Sequence, residues 1–581
     1  MAVREYPRGK QIRPGVTVTT NTDALSGVAT DSDKALMLLG GASSGKPHTV
    51  YKITSYQQAK GIFRGGELLD AIEAALSPSA SISGGTILAE RVGNATQGTF
   101  TDGGLTLTSK MYSSDANKIQ TSLTQTTFNN TYSLQVVLAD DAYRQTYTNL
   151  GPIFGISYNG SQPYASVSVD VDADSKCANK LTLKVGADNK SAAEVATFVL
   201  GTGKYTKVNS LAADINDIDG FSASYYPSGT KNIETIYLDA LAETQVPIIK
   251  SDDTTTQPLY LTSLGGDVAN ILSTYDDLLG AVYDPSKGEP THYALTPLTG
   301  GTSPQILPSS WSTEISQFAD EDGYFLCPLT SDISIQAEAL AFCEDRVSEG
   351  DPRALLVGGG IKETTTATIN RATSLETINA KVLVNATSAT RLMADGTVKD
   401  LPGYMVTAMI GGVASGIDIG QSIIHKDLDL VDVDQRFTSS QLDALASAGA
   451  IAVEFVRNRG IQEFRITDDI TTASPESLDP TVSELSVGES TDFLVGDLRL
   501  LLDRQYIGSP TLLTSPGDIK ATISSFLLSK ENNGEIEDYE ENGITVTIIG
   551  NTVHITMQVV PVRAIKYITV GLNYINKEIS A

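Results

Sequence analysis

Hydrophobic and polar positions along the chain fall into three regimes. In the first, continuous apolar runs alternate with helical spacing. Lys34–Gly40 (KALMLLG) reads as a buried strand, and Ser55-Tyr56-Gln57-Gln58 has the S-x-x-Q form of a capping box that opens a short helix ending near Phe63. Gly65-Gly66 interrupt, then ELLDAIEAAL (67–76) places Leu68, Leu69, Ile72 and Leu76 on one helical face before GTILAERV (85–92) returns as a strand. In the second regime, from about 95 to 250, Thr, Ser, Asn and Asp dominate. Short alternating runs such as LTLTS, YSLQVVLA, YASVSVDV and KLTLKVG predict an all-β, sandwich-like module. In the third, after about 265, the strand–helix alternation resumes. GYFLCPL (323–329), ALLVGGG (354–360) and KVLVNAT (381–387) read as buried strands. SDISIQAEALAFCEDRV (331–347) reads as a helix with Ser331 as N-cap and Ile333, Ala337, Leu340, Cys343 and Val347 on one face.

The pattern therefore predicts a multidomain α/β and α+β chain. An open, doubly wound α/β layer is interrupted by a β-rich insertion and followed by a C-terminal α+β domain. That domain's helices (SSQLDALASAG, DFLVGDLRLLLDRQY, GDIKATISSFLLSK) mix with strands (AIAVEFVR, EFRITDD, ITVTIIG, NTVHITMQVVPV). Two strands stand apart from any hairpin partner, PGVTVTT (14–20) and IKYITVGLNYI (565–575). The expected divisions are 1–22, 23–93, 94–265, 266–430, 431–562 and 563–581.

Composition narrows the function. A net charge of −28 over 581 residues argues against a general nucleic-acid binder, because phosphates would be repelled. The charge is uneven: residues 1–14 hold Arg4, Arg8, Lys10 and Arg13 against Glu5, and the last stretch holds Arg563, Lys566 and Lys577 against Glu578. Basic ends on an acidic body are either ordinary solvated termini or segments that dock onto acidic surfaces of other copies. No apolar run is long enough to span a membrane, and the first residues have no apolar core of a secretory signal. Three scattered cysteines and four histidines predict neither a disulfide framework nor a zinc site.

Candidate chemistry fails on inspection. GGASSGKPHTV (40–50) has the G-x-x-x-x-G-K spacing of a phosphate loop. Pro47 stands where a magnesium-binding Ser or Thr is required, and the following HTVYKI alternates like a strand, so a turn between two strands is the better account. GGTS (300–303) and GGVASG (411–416) lack the G-x-S-x-G elbow, since Val413 occupies the first glycine position; small residues for close helix packing explain the second. Asp170, Asp172 and Asp174 begin like a calcium loop, but Ser175 and Leu181 stand where Gly and Glu are needed. The acidic stretches DLDLVDVD (427–434) and ENNGEIEDYEEN (531–542) are either solvated faces or docking surfaces for the basic ends. Trp311 and Cys343 read as core. No catalytic residue, cofactor or metal is expected. Unpaired strands at both ends point instead to strand exchange between copies.

Several stretches together resemble the contractile tail sheath proteins of large myoviruses, particularly those infecting Gram-positive bacteria: VYKITSYQQAKGIFRGGELLDAIEAAL, LPGYMVTAMIGGVASGIDIGQSI (401–423), AIAVEFVRNRG with FRITDDITT (450–472), DFLVGDLRLLLDRQYIG (492–508) and VVPVRAIKYITVGLNY (559–574). The likeness is strong in 1–92 and from about 290 onward, and weak in the β-rich middle. The resemblance implies a structural subunit, not an enzyme, with a subtilisin-like α/β domain lacking a catalytic triad and an outward-facing insertion. It implies a C-terminal domain facing a tail tube, with no nucleic acid or membrane insertion. It further implies terminal arms that add strands to neighbours, here Val16, Val18, Ile565, Tyr567, Thr569 and Gly571. Implied partners are other copies, the tail tube protein, and the baseplate and tail terminator proteins, in a virion tail assembled in the host cytoplasm. Asp497, Arg499, Asp503 and Arg504 are the expected tube-facing helix residues. The alternatives are another self-assembling virion or surface structural protein, or a glycan-binding module within the insertion.

Overall fold

The computed structural model describes residues 34–126, 131–138, 143–226, 231–250, 255–303, 305–458, 461–475, 477–509, 515–566 and 568–572. Val16, Val18 and Tyr567 lie outside them. The chain forms two compact units: the described residues up to Asn94 together with those from Gln305 onward, and Ala95–Pro304.

The first unit is built on a seven-stranded sheet in the order Tyr51–Ile53, Ile87–Arg91, Ala35–Gly40, Gly323–Pro328, Ala354–Gly358, Lys381–Asn385, Ala450–Ile451. Every neighbouring pair is parallel except the edge strand Tyr51–Ile53, which runs antiparallel to Ile87–Arg91. Period-two alternation divides the side chains between two cores. Leu36, Leu38, Phe325, Cys327, Leu356 and Leu383 enter one, with the helices Glu67–Leu76 and Gly403–Gly416. Met37, Leu39, Leu326, Leu355, Val357, Val382 and Val384 enter the other, with Trp311 and Cys343. Burial on both faces is why these strands are apolar throughout.

The helix Gly403–Gly416 is buried along almost its whole length. Its small residues let it lie against neighbouring backbone, the role expected for GGVASG. A Cβ at Gly412 would sit 2.2 Å from the carbonyl oxygen of Ala75, and one at Gly416 2.0 Å from that of Ser83.

Local signals located other elements closely. Ser55 caps the helix Tyr56–Phe63, its hydroxyl accepting from the Gln58 amide. The helix Ile333–Ser348 is capped by Asp332 rather than Ser331, and its buried face is Ile335, Gln336, Ala339 and Cys343. Gln336 is buried because its amide donates to the carbonyls of Thr330 and Gly358, whereas Ile333 is exposed at the helix start.

The second unit extends past the expected boundary at 265. Leu264–Tyr275 is a helix of this unit, and the strands Leu279–Tyr283 and Tyr293–Pro297 pair back onto Leu105–Tyr112 and Ile119–Gln125. The unit is also not all-β. One core joins the sheets carrying Pro152–Tyr158 and Tyr164–Val171 with the helix Val208–Asn216. A second joins the sheets carrying Leu105–Tyr112 and Ile119–Gln125 with the helix Leu264–Tyr275. The helix at 264 follows Ser263, whose side chain caps it, and its apolar spacing resembled a return of the first unit's rhythm.

The expected C-terminal domain is divided differently. Residues such as Val433, Leu445, Ala450, Val453, Ile466 and Leu485 belong to the cores of the parallel sheet. A separate small core holds Leu498, Leu502, Ile519, Ile523, Leu527, Ile536 and Ile544. It is built from the second half of the helix Leu485–Tyr506, the helix Pro516–Asn532 with a capping box at Ser515 and Asp518, and the hairpin Thr545–Ile549 with Thr552–Thr556.

Candidate functional site

Among the described residues Val559–Val560 is the last paired stretch, antiparallel to Asp538–Tyr539. From Pro561 the described residues form no strand or helix, and Ile565, Ile568, Val570 and Leu572 are 81, 81, 79 and 69% exposed. Positions 568, 570 and 572 have the spacing of one face of an extended strand, with Thr569 and Gly571 between them. Four large apolar side chains in so short an exposed run form a surface suited to burial by a partner.

This run leaves the body at Lys566, whose ammonium lies 2.8 Å from Asp468 Oδ1, 3.0 Å from Asp469 Oδ1 and 3.8 Å from Glu484 Oε1. Burial works against the lysine's charge, but Asp469 and Asp468 outweigh it and hold Lys566 above its ordinary value. Asp469 is fully buried; its other oxygen accepts from the hydroxyls of Ser422 (2.8 Å) and Ser486 (2.6 Å). Glu484, the N-cap residue of the helix Leu485–Tyr506, is pushed up by its own burial and opposed chiefly by Lys566.

Where the described chain begins, the same helix takes a second lysine. Lys34, immediately before the strand Ala35–Gly40, donates to Glu489 at 2.6 Å, with both side chains buried. One turn on, Asp492 accepts from Lys381 at 2.6 Å and from the Tyr324 hydroxyl at 2.8 Å. Lys34, Tyr324 and Lys381 all stand at the beginnings of parallel strands, so the helix docks by its carboxylates onto one end of the sheet. Burial pushes Glu489 up to about 7, with Lys34 pulling the other way. Chain pattern did not mark these residues; the adjacent acids of FRITDDITT were the one local signal.

Further along this helix the four residues expected to face a tube separate. Asp497 pairs with Lys530 at 2.7 Å across to the helix Pro516–Asn532, Asp503 is half-buried and Arg504 is exposed. Arg499 is a correction: it is 4% exposed and donates to the Gly350 carbonyl at 3.1 Å, because it lies on the face turned to the body. Asp497, Leu500, Leu501, Arg504, Gln505, Phe526 and Lys530 line an open groove of about 650 Å³ between the two helices.

The acidic stretch 427–434 is largely engaged within the chain. Asp427 accepts from Ser79 and Ser81, Asp434 from Ser388, and Asp432 pairs with Arg436. Asp172 accepts from the Ser175 and Asp174 amides, closing its own turn. The Gly40–Lys46 turn does not cradle phosphate, since the Ser43 and Ser44 amides donate to the carbonyls of Gly65 and Phe63, and the chain continues into the strand Tyr51–Ile53. Beside it, His48 Nδ1 lies 2.8 Å from Glu314, which raises the imidazole above its ordinary value. Glu90, fully buried, is pushed up to about 9 by burial and then by Glu314. Among the described residues no group of three or more His, Cys, Asp or Glu side chains could hold a metal ion, and no helix is long and apolar enough to cross a membrane.

No protein-family model matches the chain. Whole-chain relatives do. A protein of Enterococcus phage phiEF24C, described as a tail sheath protein, is 42% identical over 99% of both chains. The tail sheath protein of Staphylococcus phage Twort is 37% identical over the full length of both. The crystal structure of a sheath tail protein from Desulfitobacterium hafniense shares the fold, with a TM-score of 0.54 at 14% identity, over 95% of this chain and 98% of that one. End-to-end identity above a third, on a body whose phosphate-loop and hydrolase look-alikes are structural turns and packing contacts, identifies a structural component of the phage tail: the chain belongs to the tail sheath protein family.

Proposed function

We propose that copies of this chain polymerise around a tail tube, joined by terminal arms that add strands to neighbouring copies, and that the lattice contracts to drive the tube through the host envelope. The carrying observation is the exposed apolar run Ile565, Ile568, Val570 and Leu572, in which 568, 570 and 572 have strand spacing and which joins no ladder among the described residues. The two-stranded ribbon Thr545–Ile549/Thr552–Thr556 pairs only with itself among the described residues, so its edges suit such strands, whereas the Ile461–Ile466 edge of the ribbon Val453–Asn458/Ile461–Ile466 is already bonded to residues 425–428. Val16, Val18, Tyr567, Thr569 and Gly571 complete the proposed arms. Asp497, Asp503 and Arg504, beside the groove between the two C-terminal helices, are the proposed tube-facing group. We read the parallel sheet as subtilisin-like in topology, acting as a rigid body while the arms hinge. Tube, baseplate and tail terminator proteins are the proposed partners, and the host cytoplasm the place of assembly.

Negative-stain electron microscopy of the full chain, beside variants lacking 1–20 or 565–581, tests this. Striated tubes from the full chain and none from either truncation support arm-linked polymerisation; tubes from both truncations refute it. If the full chain stays monodisperse, adding purified tube–baseplate complex decides: decoration by the full chain alone supports the reading, and none overturns it.

A further inference from the structure

We propose that the helix Leu485–Tyr506 is a common anchor for the strand Ala35–Gly40 and the C-terminal segment, each held by a lysine clasp at the helix's start. The residues lie close together on the helix: Glu484 at its N-cap faces Lys566, Glu489 holds Lys34, and Asp492 holds Lys381. Lys566 precedes the exposed run and Lys34 precedes the strand Ala35–Gly40, so each lysine ties one of these stretches to the helix start.

The clasps are built as joints. Asp469 is the node. Its backbone carbonyl accepts from the Leu485 amide at 2.8 Å, its Oδ2 takes the Ser422 and Ser486 hydroxyls, and its Oδ1 faces Lys566. Ser486 belongs to the helix, so the carboxylate that holds the C-terminal segment also holds the helix's first turn. Removing the lysine leaves a fully buried carboxylate without its counter-charge, the costly way to break a buried pair. The charges facing Lys566 are Asp468, Asp469 and Glu484, and Arg563 adds a second cation beside Glu484. The segment's direction of departure and the seating of the strand Ala35–Gly40 are therefore set by one rigid element. Loosening either clasp loosens the helix start that both share.

Amide hydrogen exchange with mass spectrometry on the full chain tests this without requiring polymerisation, so it can fail while the sheath reading stands. Lys566→Met is expected to speed exchange at least tenfold both in peptides covering Val559–Lys566 and in those covering Leu485–Asp492, with Lys566→Arg restoring protection. Glu489→Gln is expected to speed exchange at Leu485–Asp492 and at Ala35–Met37. Faster exchange confined to Val559–Lys566 in Lys566→Met, with Leu485–Asp492 unchanged, overturns the common anchor. If Lys566→Met also deprotects the central helix Gly403–Gly416, the wild-type chain in 1 M salt decides by the same criterion: concerted loosening of both regions supports the anchor, and loosening of one alone overturns it.

Discussion

Gly412→Ala sets a steric cost against a propensity gain. In a helix interior, Gly to Ala is worth about 1 kcal/mol in favour of folding. Here the added methyl would stand 2.2 Å from the Ala75 carbonyl oxygen and 2.9 Å from that residue's carbonyl carbon and Cα. All three are backbone atoms, so relief requires the helices Glu67–Leu76 and Gly403–Gly416 to separate by roughly 1 Å, and overpacking of this kind costs about 1–3 kcal/mol. Gly411→Ala is the internal control. Its methyl meets Leu36 Cδ1 at 2.7 Å and Leu356 Cδ1 at 2.8 Å, side-chain ends that can rotate away. Propensity and crowding then nearly cancel, leaving a net effect within ~1 kcal/mol. Trp311, the single tryptophan, is buried in the parallel-sheet unit and reports its unfolding in urea. Gly412→Ala is expected to lower the midpoint at unchanged m, by up to ~2 kcal/mol net, and to be less stable than Gly411→Ala. Equal stabilities would refute the close backbone contact.

Three other outcomes follow from buried groups. Glu90 carries a raised pKa in the folded chain, so the folded state holds more protons than the unfolded one between the ordinary glutamate value and about 9. Its contribution is full at low pH and is lost as pH rises through that window, with a slope of up to ~1.4 kcal/mol per pH unit. Thermal unfolding from pH 6 to 9 should show a falling midpoint that Glu90→Gln flattens. In the second unit, Lys231 donates at 2.7 Å to Asp267, which is 0% exposed. Lys231→Met should destabilise that unit by about 3–5 kcal/mol, seen as proteolysis within Ala95–Pro304 while the fragments around Trp311 persist. Cys327 and Cys343 are buried, with their thiols pushed up by burial, whereas Cys177 is partly exposed. A thiol reagent should therefore label one cysteine in the native chain and three in guanidinium.

What could be read from the chain follows the range over which each interaction acts. The strands at 35–40, 354–358 and 381–385 were legible because burial on both faces leaves an unbroken apolar run, and the helix at 56–63 because its cap is three residues from its partner. The glycines of GGVASG were legible as packing residues, although the carbonyls they approach were not. The boundary at 265 was misread because a capped amphipathic helix looks the same whichever sheet it covers. The pairing of Leu279–Tyr283 back to Leu105–Tyr112 and the core it shares assign it. The clasps were invisible for the same reason: Lys34 and Glu489 are 455 positions apart, and Lys566 and Asp468 are 98. Arg499 was misassigned because the charge pattern of a helix does not say which of its faces meets the body.

The order of strands in the parallel sheet also fixes a folding schedule. Ala35 pairs with Gly323, so the strand Ala35–Gly40 waits on one side for a partner made only after the whole second unit has been synthesised. At ribosomal rates of about 5–20 residues per second the delay is on the order of 15–60 s. Meanwhile the second unit, whose two cores draw on none of the described residues outside Ala95–Pro304, can close on itself. Parallel pairing across so long a loop is intrinsically slow, and the nascent strand Ala35–Gly40 is apolar on both faces throughout the wait. Synthesis of the β-rich unit thus sets the pace at which the parallel sheet can form, and the interval before Gly323 emerges is when a chaperone would have most to protect.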